Sequence, residues 1–336
     1  MSNCSTSSLS ILTQMTNAKQ LAFRQKTKEK QYFLPMEGVK NKKIEVNLCD
    51  KYRKTVPFAK IYFLVSEIVD INIQTWIEKL QALGKNAFAL EFLEKELPSY
   101  TDIGAKRALS RLTSKGSVIS IIKGYYLIIP PQYHSKGIMP PYLYVDGLMK
   151  YLNRPYYVGL LNAAAFHGAA HQQPQEFFVF TIMPAMRPTS KKGQKINYIS
   201  ISEINPKFLV DIKTEMGYLK VSNPLLTATD LIQFEKKIGG LNRATTILEE
   251  LSEKISPEQI NTEIINHVPV STWQRLGYIW EKVLEQETLA EDLFLKLAEN
   301  QKKLFRIPLK ASGTKNNLPT DNRWKIIINT TIETDF

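Results

Sequence analysis

The sequence predicts an α+β fold, and three observations carry that expectation. From residue 71 to 130 the apolar pattern runs helix, helix, helix, hairpin. Residues 141–223 mix helical spacing with β-rich runs, and residues 224–303 return to helical spacing. These blocks are separated by proline pairs, Pro130–Pro131 and Pro140–Pro141, and by Pro224.

Taken in order, residues 1–35 are rich in Ser, Thr, Gln and Lys with weak periodicity. They read as a mobile extension, and residues 36–70 add only one short apolar stretch, 59–69. The first helix of the next block places Ile73, Trp76, Ile77, Leu80 and Leu83 on one face, with Gly84 as its stop. A second helix spans 87–97 and ends at Pro98. Thr101 or Asp102 caps a third, because a short side-chain oxygen accepts the free amides of a first turn.

That third helix separates its faces. Ala105, Ala108, Leu109 and Leu112 lie on one side; Arg107, Ser110 and Ser114 lie opposite, flanked by Lys106 and Arg111. Two β-rich runs over 117–129 follow, turning at Lys123–Gly124, where glycine supplies a positive φ. Three helices and a hairpin in this order are the signature of a winged helix-turn-helix. Residues 142–152 and 157–167 then read as helices. Strands are expected at 177–182, 196–201 and 209–221, the last a hairpin about Met216–Gly217. Breaks at Gly239–Gly240, Ser256–Pro257 and Val268–Pro269 divide the helical region, and residues 324–331 suggest a terminal strand. The expected parts are thus a basic, partly disordered extension (1–70), the winged unit (71–130), a mixed α/β part (131–223) and a helical part with a terminal strand (224–336).

Charge narrows the function. The chain has 336 residues and a formal net charge of +12, but its distribution is uneven. Residues 1–60 carry +8, residues 71–130 carry +3 and residues 225–300 carry −6. A basic N-terminal third suits a polyanion. From Ile103 to Lys123 there are five basic residues and no acidic one. A helix in the major groove needs an apolar back and a donor-rich front. Arg107, Ser110 and Arg111 are therefore expected at base edges, with Ser114 on the same face. Lys106 and Lys115 are expected at phosphates, and Lys123 at the wing tip. Two other readings stay open: solvated charges on an ordinary amphipathic helix, and a winged helix that docks protein rather than DNA.

The search for chemistry is less productive. His167 and His171 stand four apart, a spacing that on a helix suits two metal ligands. The zincin pattern needs Glu where Gly168 stands, and only Glu176 offers itself as a third ligand. The alternative is that both histidines bond around a helix end. Asp211 and Lys213 give an Asp-x-Lys on a strand, as in metal-dependent nucleases, without an evident acidic partner. Asp230, within a helix, reads as a capping or buried paired residue. No phosphate-binding glycine motif occurs. Neither an enzyme nor a cofactor or metal site is expected. Only Cys4 and Cys49 occur, and no secretory leader or membrane-spanning run is evident, so a cytoplasmic location is the expectation.

Residues 156–174 read YYVGLLNAAAFHGAAHQQP. With the preceding RALSRLTSKG and KGYYLIIPP, and with VSNPLLTATDLI at 221–232, they resemble the AbiEi family of antitoxins from bacterial type IV toxin–antitoxin systems. The resemblance covers about residues 71–270, leaves residues 1–60 outside it and weakens in the C-terminal tail. It implies a winged helix that binds operator DNA and represses its own operon. It also implies a C-terminal part that counters a nucleotidyltransferase-class toxin, with no catalytic residue. By position, the DNA-reading stretch is 103–115, with the wing at Lys123–Gly124. The small residues Ala163, Ala164 and Ala165 suit helix packing more than a partner surface, whereas the acidic helices after residue 224 are the better candidates for a protein contact, with ordinary solvated faces the open alternative.

Overall fold

The computed structural model describes residues 72–169, 174–312 and 317–333, all within the second of two units, Ile71–Phe336. The basic extension with Cys4 and Cys49, the stretch 59–69 and His171 lie outside the described residues.

Helix α1 (Ile73–Ala82) begins where Asn72 Oδ1 accepts from Thr75 N, and it buries Ile73, Trp76, Ile77 and Leu80. Leu83, expected on that face, is instead the C-cap residue and is 73% exposed. Strand β1 (Ala87–Ala89) and helix α2 (Leu90–Glu96) follow, so the single second helix expected over 87–97 is a strand running into a helix. Phe88 explains the change: it is 4% exposed between Trp76 and Tyr126, stacked on the latter at 5.5 Å. A three-residue strand carries too little alternation to be told from a helix start. Helix α3 (Asp102–Ser114) leads into strands β2 (Val118–Ile122) and β3 (Tyr125–Ile128). The strands form an antiparallel sheet in the order β1-β3-β2. One face of this sheet, with Phe88, Val118 and Ile128, closes a core against Trp76, Leu93 and Leu109 from the three helices.

The other face, with Ile119, Ile121 and Leu127, packs into a second core beside helix α4 (Val145–Tyr151) and a six-stranded sheet. That sheet joins β4 (Tyr156–Val158), β5 (Glu176–Ile182), β6 (Thr189–Lys191), β7 (Gln194–Ile201), β8 (Leu209–Thr214) and β9 (Gly217–Ser222). Its order is β6-β7-β5-β4-β9-β8, with parallel pairs β5–β7 and β4–β9 among antiparallel ones. Alternation along β5 divides two cores: Phe177 and Val179 face the core shared with β2 and β3, whereas Phe178 and Phe180 face the helices. The helix expected over 157–167 is therefore β4 followed by helix α5 (Leu160–Phe166). Gly159 marks the switch, where a Cβ would lie 2.4 Å from the Phe180 ring.

Five helices cover the second face: α6 (Pro224–Gln233), α7 (Leu241–Ser252), α8 (Thr262–His267), α9 (Val270–Lys282) and α10 (Glu287–Glu299). Three of their four breaks fall at the glycines and prolines expected; the fourth, between α9 and α10, was not expected and turns at Glu285, φ +53°. The terminal strand reduces to β12 (Ile326–Ile327), held between β10 (Ile307–Pro308) and β11 (Thr320–Asp321). Trp324 is fully buried and anchors this segment on α9, its Nε1 donating to Glu281 Oε2 at 2.7 Å. Among the described residues, no helix is long and apolar enough to cross a membrane.

Candidate nucleic-acid interface

Helix α3 owes its start to Thr101, whose Oγ1 accepts from Gly104 N at 3.2 Å. Ala105, Leu109 and Leu112 are buried beneath it and Ala108 is half-buried. Lys106, Arg107, Ser110, Arg111, Ser114 and Lys115 are all exposed on its outer side. Thirteen residues at 1.5 Å each give a helix of about 20 Å, enough to cross one groove. Lys106 pairs with Asp102 at 3.3 Å, and Ser114 Oγ donates to the Ser110 carbonyl at 3.1 Å. Among the described residues, Arg107, Arg111, Lys115 and Lys123 have no carboxylate within 4 Å. Their guanidinium and ammonium groups therefore face solvent. The acids nearest this face are at its N-terminal end. There burial, and then the hydrogen bond and charge of Asp102, raise the Glu94 carboxyl above its usual range.

Lys123 is set apart from the other six. It lies exposed at the hairpin turn, with Gly124 at φ +83°. The hairpin is short: Leu90 N donates to the Gly124 carbonyl at 2.8 Å, so the tip reaches only the start of α2. Tyr151 of α4 closes over it, with its ring 5.2 Å from Tyr125. A Cβ at Gly124 would lie 2.5 Å from Tyr151 Oη, so a side chain there would displace the Tyr151 hydroxyl and strain the left-handed backbone.

The residues weighed for chemistry are dispersed. His167 caps α5, and its Nε2 faces the Ser222 carbonyl at 2.7 Å, which requires the proton on that nitrogen. Burial holds its pKa below the ordinary imidazole value, and the bond to Ser222 partly opposes that. Glu176 is engaged by Lys195 at 2.8 Å and Asn197 at 2.6 Å, with the lysine bond the first reason its carboxyl sits low. Asp211 and Lys213 are exposed on the edge strand β8, where Asp211 pairs with Lys220 at 3.5 Å. Asp230 is 4% exposed and accepts from Tyr157 Oη at 3.1 Å. Burial raises its carboxyl well above the usual range, and the Tyr157 bond opposes this in part. Among the described residues, no three His, Cys, Asp or Glu side chains converge as metal ligands.

Two features escaped the sequence. One is a cavity of about 270 Å³ lined by Leu241, Arg275 and Leu309, at which Glu235 is 6% exposed with Oε1 lacking a hydrogen-bond partner. No local pattern around Glu235 signals it, because the lining comes from distant segments. The other is the basic turn between β6 and β7. Its signal was the run of four basic residues without an acid between Thr181 and Ser202.

The architecture defines a mixed α+β protein whose small helical unit abuts a sheet and a helical layer. Residues 157–282 match the family model of the AbiEi antitoxin C-terminal domain. Over this stretch the chain is similar to the AbiEi antitoxins, the family its sequence resembles. The RV2827C protein from Mycobacterium tuberculosis shares the fold. Its crystal structure matches at a TM-score of 0.55 and 18% identity, over 77% of this chain and 92% of that one. The comparison with curated proteins gives no match.

Proposed function

We propose that this chain is the antitoxin of a type IV toxin–antitoxin system and the autorepressor of its own operon. Residues 71–130 act as a winged helix-turn-helix on operator DNA. The domain that follows counters a nucleotidyltransferase-class toxin encoded beside it. The observation that carries the DNA half is the outer face of α3, where Arg107, Ser110 and Arg111 stand exposed in a stretch without acids. Arginine offers paired donors matched to guanine, and the apolar back of the helix fixes its orientation. The match over residues 157–282 supports the antitoxin half. The chain acts by binding and carries no catalytic centre of its own. That reading rests on the dispersal of His167, Glu176, Asp211 and Asp230 into separate local bonds. Lys106 and Lys115 meet phosphates, Ser114 lines the same face, and Lys123 adds a backbone contact from the short hairpin.

The two activities separate by mutation. Arg107→Ala with Arg111→Ala removes operator binding in a gel shift and derepresses a reporter driven by the upstream region. The same variant still rescues growth when the neighbouring toxin is expressed. Operator binding unchanged in the double variant contradicts the assignment of α3, and failure of the wild type to rescue contradicts the antitoxin role.

A further inference from the structure

We propose that the cavity beside α6 and α9 is a binding site for a small apolar α-amino acid, held by Glu235 at its ammonium and by Arg275 at its carboxylate. Both residues belong to 157–282, the stretch that matches the antitoxin domain, and the site does not depend on the DNA-binding reading. Glu235 opens the short turn Glu235–Lys237 that follows α6, and Arg275 lies on α9. Leu241, at the start of α7, and Leu309, next to β10, supply apolar wall. Side chains from separate segments of the chain thus line one space of about 270 Å³. That is below the roughly 300–1,000 Å³ of sites for drug-sized ligands, so the occupant is a small metabolite.

The polar groups single this cavity out. Glu235 is 6% exposed and its Oε1 has no hydrogen-bond partner. Among the described residues, no cation stands within 4 Å of its carboxyl. A carboxylate buried without a partner is costly, and a water can fill its lone pairs without offsetting its charge. Arg275 is half-buried on the same cavity. Its Nε donates to the Pro308 carbonyl at 3.1 Å, which leaves the two terminal nitrogens of the fork without a protein acceptor among the described residues. Burial lowers this guanidinium below its ordinary value and the charge of Glu235 opposes that, so the two groups feel one another without pairing. An acid and a base therefore line one cavity more than 4 Å apart, and neither neutralises the other by contact.

The class of ligand follows by elimination. A plain anion suits Arg275 but leaves Glu235 unpaired and repelled. A plain cation suits Glu235 but meets Arg275 together with the exposed Lys236 and Lys237, which line the same cavity. An α-amino acid carries both charges on one carbon. Its ammonium donates to Glu235, and its carboxylate takes the paired donors of Arg275. An apolar side chain then packs against Leu241 and Leu309, where its burial adds to the affinity.

The test uses the full chain, with leucine, valine, methionine and phenylalanine as probes. At millimolar concentration at least one of them raises the Tm of the wild type in step with log concentration, and calorimetric titration gives one saturable site. For leucine, two analogues separate the charges: isocaproate lacks the ammonium and isoamylamine lacks the carboxylate. Each binds at least about tenfold more weakly than leucine, the scale of one lost charged hydrogen bond. Glu235→Gln keeps the shape of the site and weakens the amino acid by the same scale. Arg275→Lys keeps the charge but not the paired donors, and weakens it likewise. Glu235→Leu removes binding while the Tm of the free protein stays level or rises, because an unpaired buried carboxyl does not hold the free fold together. Amino-acid binding undiminished in Glu235→Gln overturns the site, as does isocaproate binding as tightly as leucine. No saturable binding by any of the four amino acids leaves the cavity to water and overturns the proposal outright.

Discussion

Asp230→Asn makes the helical core less sensitive to pH, and the size of the effect follows from its surroundings. Asp230 sits on α6 at 4% exposure, with the Tyr157 hydroxyl its bonded neighbour at 3.1 Å. Burial raises its pKa well above the ordinary carboxylate value, and the Tyr157 bond opposes this in part. The folded chain therefore keeps a proton that the unfolded chain releases near about pH 3.9. A group raised in this way stabilises fully below its unfolded pKa, and that contribution is lost as pH rises toward the folded value. Within that window each pH unit costs about 1.4 kcal/mol. Asparagine carries no titrating proton, and its side-chain oxygen can accept the same Tyr157 bond. The stability of Asp230→Asn relative to wild type should thus grow steadily as pH rises from 5 to 7. Denaturant unfolding at pH 5, 6 and 7 reads this difference directly, because all other titrating groups are shared. Parallel pH profiles for the two proteins would refute the buried, protonated carboxyl.

Three further outcomes are expected. Gly159→Ala places a methyl 2.4 Å from the Phe180 ring and should cost about 1–3 kcal/mol, read as a Tm lower by several degrees. His167 has a depressed pKa, so its contribution is present above about pH 6.5 and fades as pH falls. His167→Gln should flatten the stability profile between pH 7 and pH 5, and an imidazole proton titrating above its ordinary midpoint in NMR would contradict this. Gln274 Nε2 donates to the carbonyls of Phe305 and Trp324, each at 2.7 Å. Gln274→Ala should cost about 1–3 kcal/mol and speed amide exchange in the segment holding β10 and β12, whereas unchanged exchange would show that other contacts hold it.

The readable elements were those whose burial matches one period. Helices α1 and α3 each present a single apolar stripe to one core, so Ile73 to Leu80 and Ala105 to Leu112 announced them. Strands β5 and β7 showed instead as short β-rich apolar runs, and the hairpin β8–β9 by its Gly217 turn. Strands β1 and β4 were not legible because three residues are too few for alternation to register, and β4 is in addition buried on both sides. Leu83 fitted the stripe of α1 by spacing, but the helix ends one residue before it. At the interface, the facing of Arg107, Ser110 and Arg111 followed from helical geometry alone. The shortness of the hairpin at Lys123 did not, because Tyr151 reaches it from a helix almost thirty residues away, a distance in sequence that local patterns do not span.

The most direct test of the account is a competition measurement at about 150 mM salt. The full chain is held on a labelled duplex of its own upstream region and displaced by that duplex or by a shuffled one. The account predicts that the specific duplex competes at least about 10³-fold better for the wild type. It also predicts that this ratio falls toward one for Arg107→Ala with Arg111→Ala. Equal competition by both duplexes for the wild type, or a ratio untouched by the two substitutions, would contradict the claim that α3 reads DNA.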